Sequence, residues 1–411
     1  MEKLVIQLKE WESVLAPISN EEVIPQLLNL QKRNIIETKL SSKGVGVSAN
    51  SIVGFEGNQY FRIEIKPKIS GFSILKMVGY IHGFIPINHQ ESAHLGEGEA
   101  NLFDLLIIQW LDLIEKLTPK LRQNYVSIQE NKTYIKGKIM IDELAKQGLM
   151  STKTPVEYQV LNMDQTLNQL IKSGLSYFKN HTLNPYLINK ISLLLRDYTS
   201  VTNTHLNKNE IEKSLLRLTR LEEDYKVPLE YLNWILSLSG VGSNNEYGNS
   251  LWINMNTLFQ NYLTKFLERY STNLRFESEV SNRTIFIYDR EHNPLDRSSI
   301  SIRPDLLVFF QDKLTSIIDF KYKNYSENSI STSDLYQLSN YGLTIGQGDI
   351  HPIILYPTEK DFPDQKIIVN FSGLNKEQNI TIRGVNLRYL QSLISKQKHA
   401  QLSDYAERLL K

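Results

Sequence analysis

The sequence predicts a mixed α+β protein, with a β-rich and helical N-terminal region followed by an α/β domain. Three observations carry this. Apolar and polar residues alternate in short segments such as YFRIEIKPKI (60–69), the mark of half-buried strands. Between Asp164 and about Leu238 the apolar spacing lengthens to three or four residues, the period of amphipathic helices. Beyond SGVGSNNEYGNS (239–250), a stretch of Gly, Asn and Ser that reads as a linker, strand-like and helical segments interleave.

Taken in order, YFRIEIKPKI reads as one strand until Pro67, which cannot donate to a ladder, stops it. HLGEGEAN (94–101) reads as a loop and LFDLLIIQWLDLIEKL (102–117) as a helix. Asp104, Asp112 and Glu115 make that helix an amphipathic core element and not a membrane span. In YVSIQENKTYIKGKIMI (125–141) two alternating runs flank a polar QENK centre, which predicts a β-hairpin. DQTLNQLIKSGLSYF, INKISLLLRDY and PLEYLNWILSLS then carry helical spacing. After the linker, a helix over about 251–270 precedes the strand-like FESEV, RTIFIYD, ISIRPDLLVFF and TSIIDFKYK. A helix over 334–343, the strand HPIILYP, further strands and a closing helix from Leu387 complete the chain. There is no internal repeat.

At 411 residues the chain is long enough for two or three domains. Its composition, 41% hydrophobic and 22% charged, is ordinary for a globular protein, and a formal net charge of +1 gives no global basic field. Any contact with DNA must come from local patches. The absence of cysteine excludes disulfides, thiolate nucleophiles and cysteine-type zinc sites. MEKLVIQLKEWESV lacks the basic and apolar regions of a secretory signal, so the cytoplasm is the expected location and no membrane partner is expected. No G-x-x-x-x-G-K-[ST] loop or G-x-S-x-G elbow occurs, which argues against nucleotide hydrolysis and serine-hydrolase chemistry. His82, His89 and His94 are near one another without ligand-like spacing and read as structural or exposed.

The chemistry concentrates in SIRPDLLVFFQDKLTSIIDFKYK (301–323). Two apolar strands joined by a short polar turn suit antiparallel pairing. Asp319 and Lys321, two apart, project from one face, and Asp305 at the start of the other strand can approach Asp319. Two close carboxylates repel one another, and a divalent cation resolves the conflict. Oxygen ligands suit Mg²⁺, with Mn²⁺ as a substitute: Asp305, Asp319 and the backbone carbonyl of Phe320. A lysine beside the cation can orient or deprotonate a water attacking a phosphate. Taken alone, the same residues also fit a modest surface ion pair. The next segment, SDLYQLSNYG, places Asp334, Gln337 and Tyr341 on one helical face.

The order P-D…D-x-K followed by Gln337-x-x-x-Tyr341 resembles the PD-(D/E)xK nuclease superfamily and its RecB-like branch. With LWINMNTLFQNYL, YIKGKIMIDE, EYQVLNMDQTLNQLI (carrying Asp164, Thr166 and Asn168) and IEIKPKI, the chain resembles the McrC family, the nuclease subunit of McrBC-type, modification-dependent restriction systems. That resemblance implies a restriction-endonuclease-like α/β domain over 241–411. It also implies a mixed β/α interaction domain over 1–120 and a hairpin and helical, stalk-like partner-binding region over 121–240. It implies an Mg²⁺-dependent endonuclease with Asp305, Asp319, Lys321, Gln337 and Tyr341 in the catalytic site. The implied partners are a hexameric AAA+ GTPase ring of the McrB type and double-stranded DNA, methylated or not. The hairpin lysines Lys132, Lys136 and Lys138 are the candidate docking residues. One departure stands out: Gln260 follows the helix phenylalanine where the family pattern has a glutamate, and an amide cannot bind a second metal as a carboxylate does. Glu268, two turns further along, is a poor geometric substitute, and Glu277 or Glu279 on the following strand could compensate. An autonomous RecB-like exonuclease, or a nuclease-dead scaffold that activates an AAA+ partner, remains the alternative.

Overall fold

The structure is a computed structural model that describes residues 4–17, 23–41, 44–57, 60–86, 102–147, 152–238, 249–278, 283–286, 289, 292, 295, 300–323, 325, 329–346, 350–371 and 376–411. The chain forms two compact units, Met1–Ile85 together with Ser250–Lys411, and Pro86–Asn249. The first 85 residues therefore fold with the C-terminal part, a different division from boundaries at 120 and 240. The loop HLGEGEAN lies wholly outside the described residues, as does all but the end of SGVGSNNEYGNS.

In the first unit the chain opens with β1 (Leu4–Lys9), β2 (Ser13–Ala16), α1 (Val23–Lys32), β3 (Ile36–Ser41), β4 (Gly44–Ala49), β5 (Ile52–Gly57), β6 (Phe61–Lys66) and α2 (Gly71–His82). Strand β6 buries Phe61, Ile63 and Ile65 and turns the residues between them outward, as its alternation predicts. It pairs parallel with β1 and antiparallel with β5. A second sheet, β2-β4-β3, packs its Val45, Val47 and Ala49 into the same core with Leu27 and Leu30 of α1.

The second unit contains α3 (Leu102–Leu117), β7 (Asn124–Lys132), β8 (Lys138–Ile139), α4 (Ile141–Gln147), β9 (Thr154–Asn162), α5 (Thr166–His181), α6 (Pro185–Asp197), α7 (Lys208–Leu216) and α8 (Lys226–Leu238). Trp110 of α3, fully buried, donates from Nε1 to the Pro228 carbonyl at 3.0 Å and meets the Phe178 ring edge-on. The predicted hairpin over 125–141 does not form. Strand β7 pairs along nine residues with β9, and the two-residue β8 pairs with the other edge of β9, in the order β7-β9-β8. The longer ladder wins because β9 matches β7 residue for residue, Asn124 opposite Asn162 through Lys132 opposite Thr154. Gly137 makes the return possible: its φ is +78°, and a Cβ there would stand 2.3 Å from the Glu157 carbonyl oxygen.

The chain then re-enters the first unit through β10 (Asn249–Asn254) and α9 (Met255–Tyr270). The helix predicted from about 251 thus starts four residues later. Leu251, Trp252 and Ile253 are buried as a strand beside β5, and Asn254 caps α9 by accepting from the backbone N–H groups of Asn256 and Thr257.

There follow β11 (Leu274–Ser278), β12 (Arg283–Phe286), β13 (Ile300–Ile302), β14 (Leu306–Phe310), β15 (Lys313–Phe320), α10 (Thr332–Gly346), β16 (His351–Thr358), β17 (Gln365–Phe371), β18 (Lys376–Asn386), α11 (Leu387–Ser395) and α12 (His399–Leu410). Six of these strands form one mixed sheet in the order β11-β14-β15-β16-β18-β17. Strands β14 and β15 form the predicted hairpin, turned by Gln311 and Asp312, both at positive φ as a type I′ turn requires. Strands β15, β16 and β18 run parallel, which explains the unbroken burial along IIDF and PIILY. Helix α10 crosses from β15 to β16 and packs Leu338 and Tyr341 on Ile317, Ile354 and Ile382. From α9, Phe259 sets its ring against Phe320 and Tyr322. Among the described residues no helix is long and apolar enough to cross a membrane.

Candidate active site

The β14–β15 register sets Leu306 opposite Ile318, so Asp305 arrives beside the C-terminal end of β15. There its Oδ2 accepts the backbone N–H of Phe320 at 2.8 Å. Asp319, in the same strand, is only 2% exposed. Lys321 leaves β15 with its backbone N–H bonded to the Leu355 carbonyl of β16, and its ammonium returns to within 3.0 Å of Asp319 Oδ2. The same ammonium donates to Gln337 Oε1 at 3.2 Å. Gln337 Nε2 donates to Tyr341 Oη at 2.8 Å, and the Tyr341 hydroxyl donates to the Arg303 carbonyl at 3.3 Å. One end of the sheet and one face of α10 thus bring together Asp305, Asp319, Lys321, Gln337 and Tyr341.

A further acid completes the group. Asp334, in the first turn of α10 and nearly buried, accepts from Lys323 Nζ at 2.8 Å and from the Tyr325 hydroxyl, and its Oδ1 lies 3.7 Å from Lys321 Nζ. Its position three residues before Gln337 was the available sequence signal; what the sequence did not show was that Lys321 and Lys323 both turn towards it.

Burial shapes the electrostatics. Desolvation pushes the Asp319 carboxyl up to about 7; the Lys321 ammonium opposes this and the Asp305 and Asp334 charges reinforce it. For Lys321, burial works against the charged form, but Asp319, Asp334 and Asp305 outweigh it and raise the ammonium pKa. Burial also works against an ionised Asp334, yet donors from Lys323, Ser331 and Tyr325 hold its carboxyl down at about 2.

The donor set suits a hard divalent cation. Asp319 Oδ2 is buried and meets the Lys321 ammonium at 3.0 Å. A buried carboxylate beside a second carboxylate suits Mg²⁺, which keeps several waters and takes one or two protein carboxylates. Among the described residues no cluster of three or more His, Asp or Glu side chains is arranged for a metal. The residues that could hold such a cation are Asp305 and Asp319, with the Phe320 carbonyl as the expected third donor.

The remaining candidates are elsewhere. Gln260 follows Phe259 on α9, the helix whose Phe259 ring meets Phe320 and Tyr322, and Glu268 is exposed on the same helix. Glu277 pairs with Arg275 on β11, and Glu279 lies outside the described residues. His82 ends α2, where burial lowers its pKa to about 4, while His89 and His94 lie outside the described residues. In the second unit, Lys132 donates to Tyr158 Oη at 2.9 Å and pairs with Glu130. Lys136 sits 4.0 Å over the Tyr158 ring, and Lys138 stands opposite Glu157 in the ladder. Asp164 and Asn168 are structural there: Asp164 receives Gln169 and Thr202, and buried Asn168 ties together Arg122, Met163 and Tyr225.

The family described as McrBC 5-methylcytosine restriction system component matches residues 47–357. No protein of curated function matches the chain. Among solved structures, the chain is similar to one in a refined half-complex from the tetradecameric assembly of Thermococcus gammatolerans McrB AAA+ hexamers with bound McrC. The identity is 17%, over 92% of this chain and 94% of that one, with a TM-score of 0.65. A chain in the cryo-EM structure of the Thermococcus gammatolerans McrBC complex matches at 18% identity over 65% of this chain and 88% of that one, with a TM-score of 0.46. The first likeness is one of fold, and the family match spans most of the sequence: the chain belongs to the McrBC 5-methylcytosine restriction system component family.

Proposed function

We propose that the chain is the metal-dependent DNA endonuclease subunit of an McrBC-like restriction complex, acting in the cytoplasm and stimulating a partner AAA+ GTPase ring. The convergence of Asp305, buried Asp319 and Lys321 at one strand end carries this reading. Mg²⁺, or Mn²⁺ in its place, would be held by Asp305, Asp319 and the Phe320 carbonyl, and supplies positive charge to a phosphodiester oxygen and acidity to a bound water. Lys321, kept charged by its acid neighbours, would orient an attacking water and offset negative charge on the phosphate. Gln337 fixes the ammonium, and Tyr341 anchors Gln337 to the backbone at Arg303. With Gln260 in place of a glutamate, one well-held cation suffices.

The AAA+ partner is supported by family membership and by the McrB hexamers in the complex whose McrC-bound assembly holds a chain of similar fold. For docking we assign the β7-β9-β8 sheet, which carries Lys132, Lys136 and Lys138 and exposes Tyr125, Val126, Ile128 and Leu161. Gln260 also supports a second reading, a scaffold that stimulates the GTPase without cutting.

Mg²⁺-dependent cleavage of methylated and unmethylated circular plasmid separates these. The chain alone, the AAA+ protein alone with GTP, and the two together would be compared. Cutting only by the complex is expected. Cutting by the isolated chain would favour an autonomous nuclease, and faster GTP hydrolysis with intact plasmid would favour the scaffold.

A further inference from the structure

We infer that Asp334 is a positioning residue that takes over the Lys321 ammonium when Asp319 turns to a divalent cation, an inference that rests on the metal-dependent nuclease reading. Lys321 Nζ stands between two acids from different elements, 3.0 Å from Asp319 Oδ2 on β15 and 3.7 Å from Asp334 Oδ1 on α10. An ammonium 3.0 Å from a carboxylate oxygen competes with a cation for it, because the two positive charges repel. The displaced ammonium cannot go fully into water either: the Lys321 side chain is 19% exposed, and a half-buried unpaired charge is costly. It needs a second anion within reach of its flexible stem.

Asp334 is prepared for that. Its Oδ2 is occupied by Lys323 Nζ and the Tyr325 hydroxyl, which pin the carboxylate in place. Oδ1 faces Lys321 at 3.7 Å, and Ser331 also donates to this carboxylate. Gln337, one turn along α10 on the same face, already accepts from Lys321 and guides the ammonium towards the helix. The charged groups around Lys321 are Asp305, Asp319, Asp334 and Lys323, so three carboxylates face two ammonium groups. A cation bound by the first two acids leaves Asp334 to serve both lysines.

A purely structural Asp334 would anchor the start of α10 through Lys323 and Tyr325 and would leave cation binding alone. An Asp334 that simply attracts the cation by its charge would help binding whether or not Lys321 is present. A double-mutant cycle separates all three, read as Mn²⁺ affinity of the full chain by electron paramagnetic resonance, without DNA turnover. Asp334→Asn is expected to weaken Mn²⁺ binding about tenfold in the unaltered background and by less than about twofold in a Lys321→Met background. Equal weakening in both backgrounds, or none in either, would overturn the inference. Should Asp334→Asn fail to fold, Tyr325→Phe, which only unpins Oδ2, runs through the same cycle, and a loss independent of Lys321 would overturn it equally. An unaltered chain that binds no Mn²⁺ would sink the nuclease reading itself, a result distinct from binding without coupling.

Discussion

Glu10 follows β1 directly and is only 1% exposed, although in LKEWE it looks like any surface acid. Its Oε2 accepts the backbone N–H of Lys68 at 2.8 Å and stands 3.4 Å from the Tyr322 hydroxyl, while Oε1 has no hydrogen-bond partner. Desolvation lifts its carboxyl from the ordinary 4.5 to about 7, opposed by Lys68 and Tyr322. The folded state then holds a proton that the unfolded chain has lost, so stability falls as pH rises between about 4.5 and about 7, by on the order of 3 kcal/mol. Glu10→Gln keeps an acceptor for Lys68 and removes the ionisation. Its urea midpoint is expected to exceed that of the unaltered chain at pH 8 and to match it near pH 5; a flat profile for the unaltered chain would contradict this. Gln260→Glu is expected to leave the Mg²⁺ requirement for cleavage within a few-fold, and cleavage appearing only in that variant would refute the single-cation site. The grouping of Asp305, Asp319 and Lys321 was legible because these residues sit in two adjacent segments. Asp334's partners and the burial of Glu10 were not, because they depend on contacts made only on folding.

At the scale of elements, local pattern predicted strand β6, the β14–β15 hairpin and helix α10 with its polar face. It failed where pairing is long-range. Alternation in YVSIQENKTYIKGKIMI says that strands form, but not that β9, beyond α4, takes the place between them. The start of α9 was misplaced for the same reason: LWIN has apolar residues for either period, and pairing beside β5 decides for a strand. That pairing depends on Gly54, whose φ is +140° and where a Cβ would stand 1.8 Å from the Leu251 carbonyl oxygen. Gly54→Ala is expected to cost about 2–4 kcal/mol by backbone strain and loss of the β10 pairing. Denaturation with two probes would check it, and a loss below about 0.5 kcal/mol would show that β10 is not held there.

For the whole molecule, the composition excluded thiol and zinc–cysteine chemistry but was silent on partners, and the motif order led to the family. The linker over 239–250 suggested a boundary, yet a linker cannot show that the first 85 residues fold with the C-terminal part of the chain. The proposed function puts two tasks in two regions: cutting at the Asp305–Asp319–Lys321 site of the first unit, and partner docking at the β7-β9-β8 sheet of the second. The most direct test is Asp305→Ala in the complex with the AAA+ protein, GTP and Mg²⁺, with plasmid cleavage and GTP hydrolysis measured together. Cleavage is expected to fall at least about a hundredfold, with stimulation of GTP hydrolysis retained. Cleavage at the unaltered rate would place the nuclease chemistry somewhere other than this strand end.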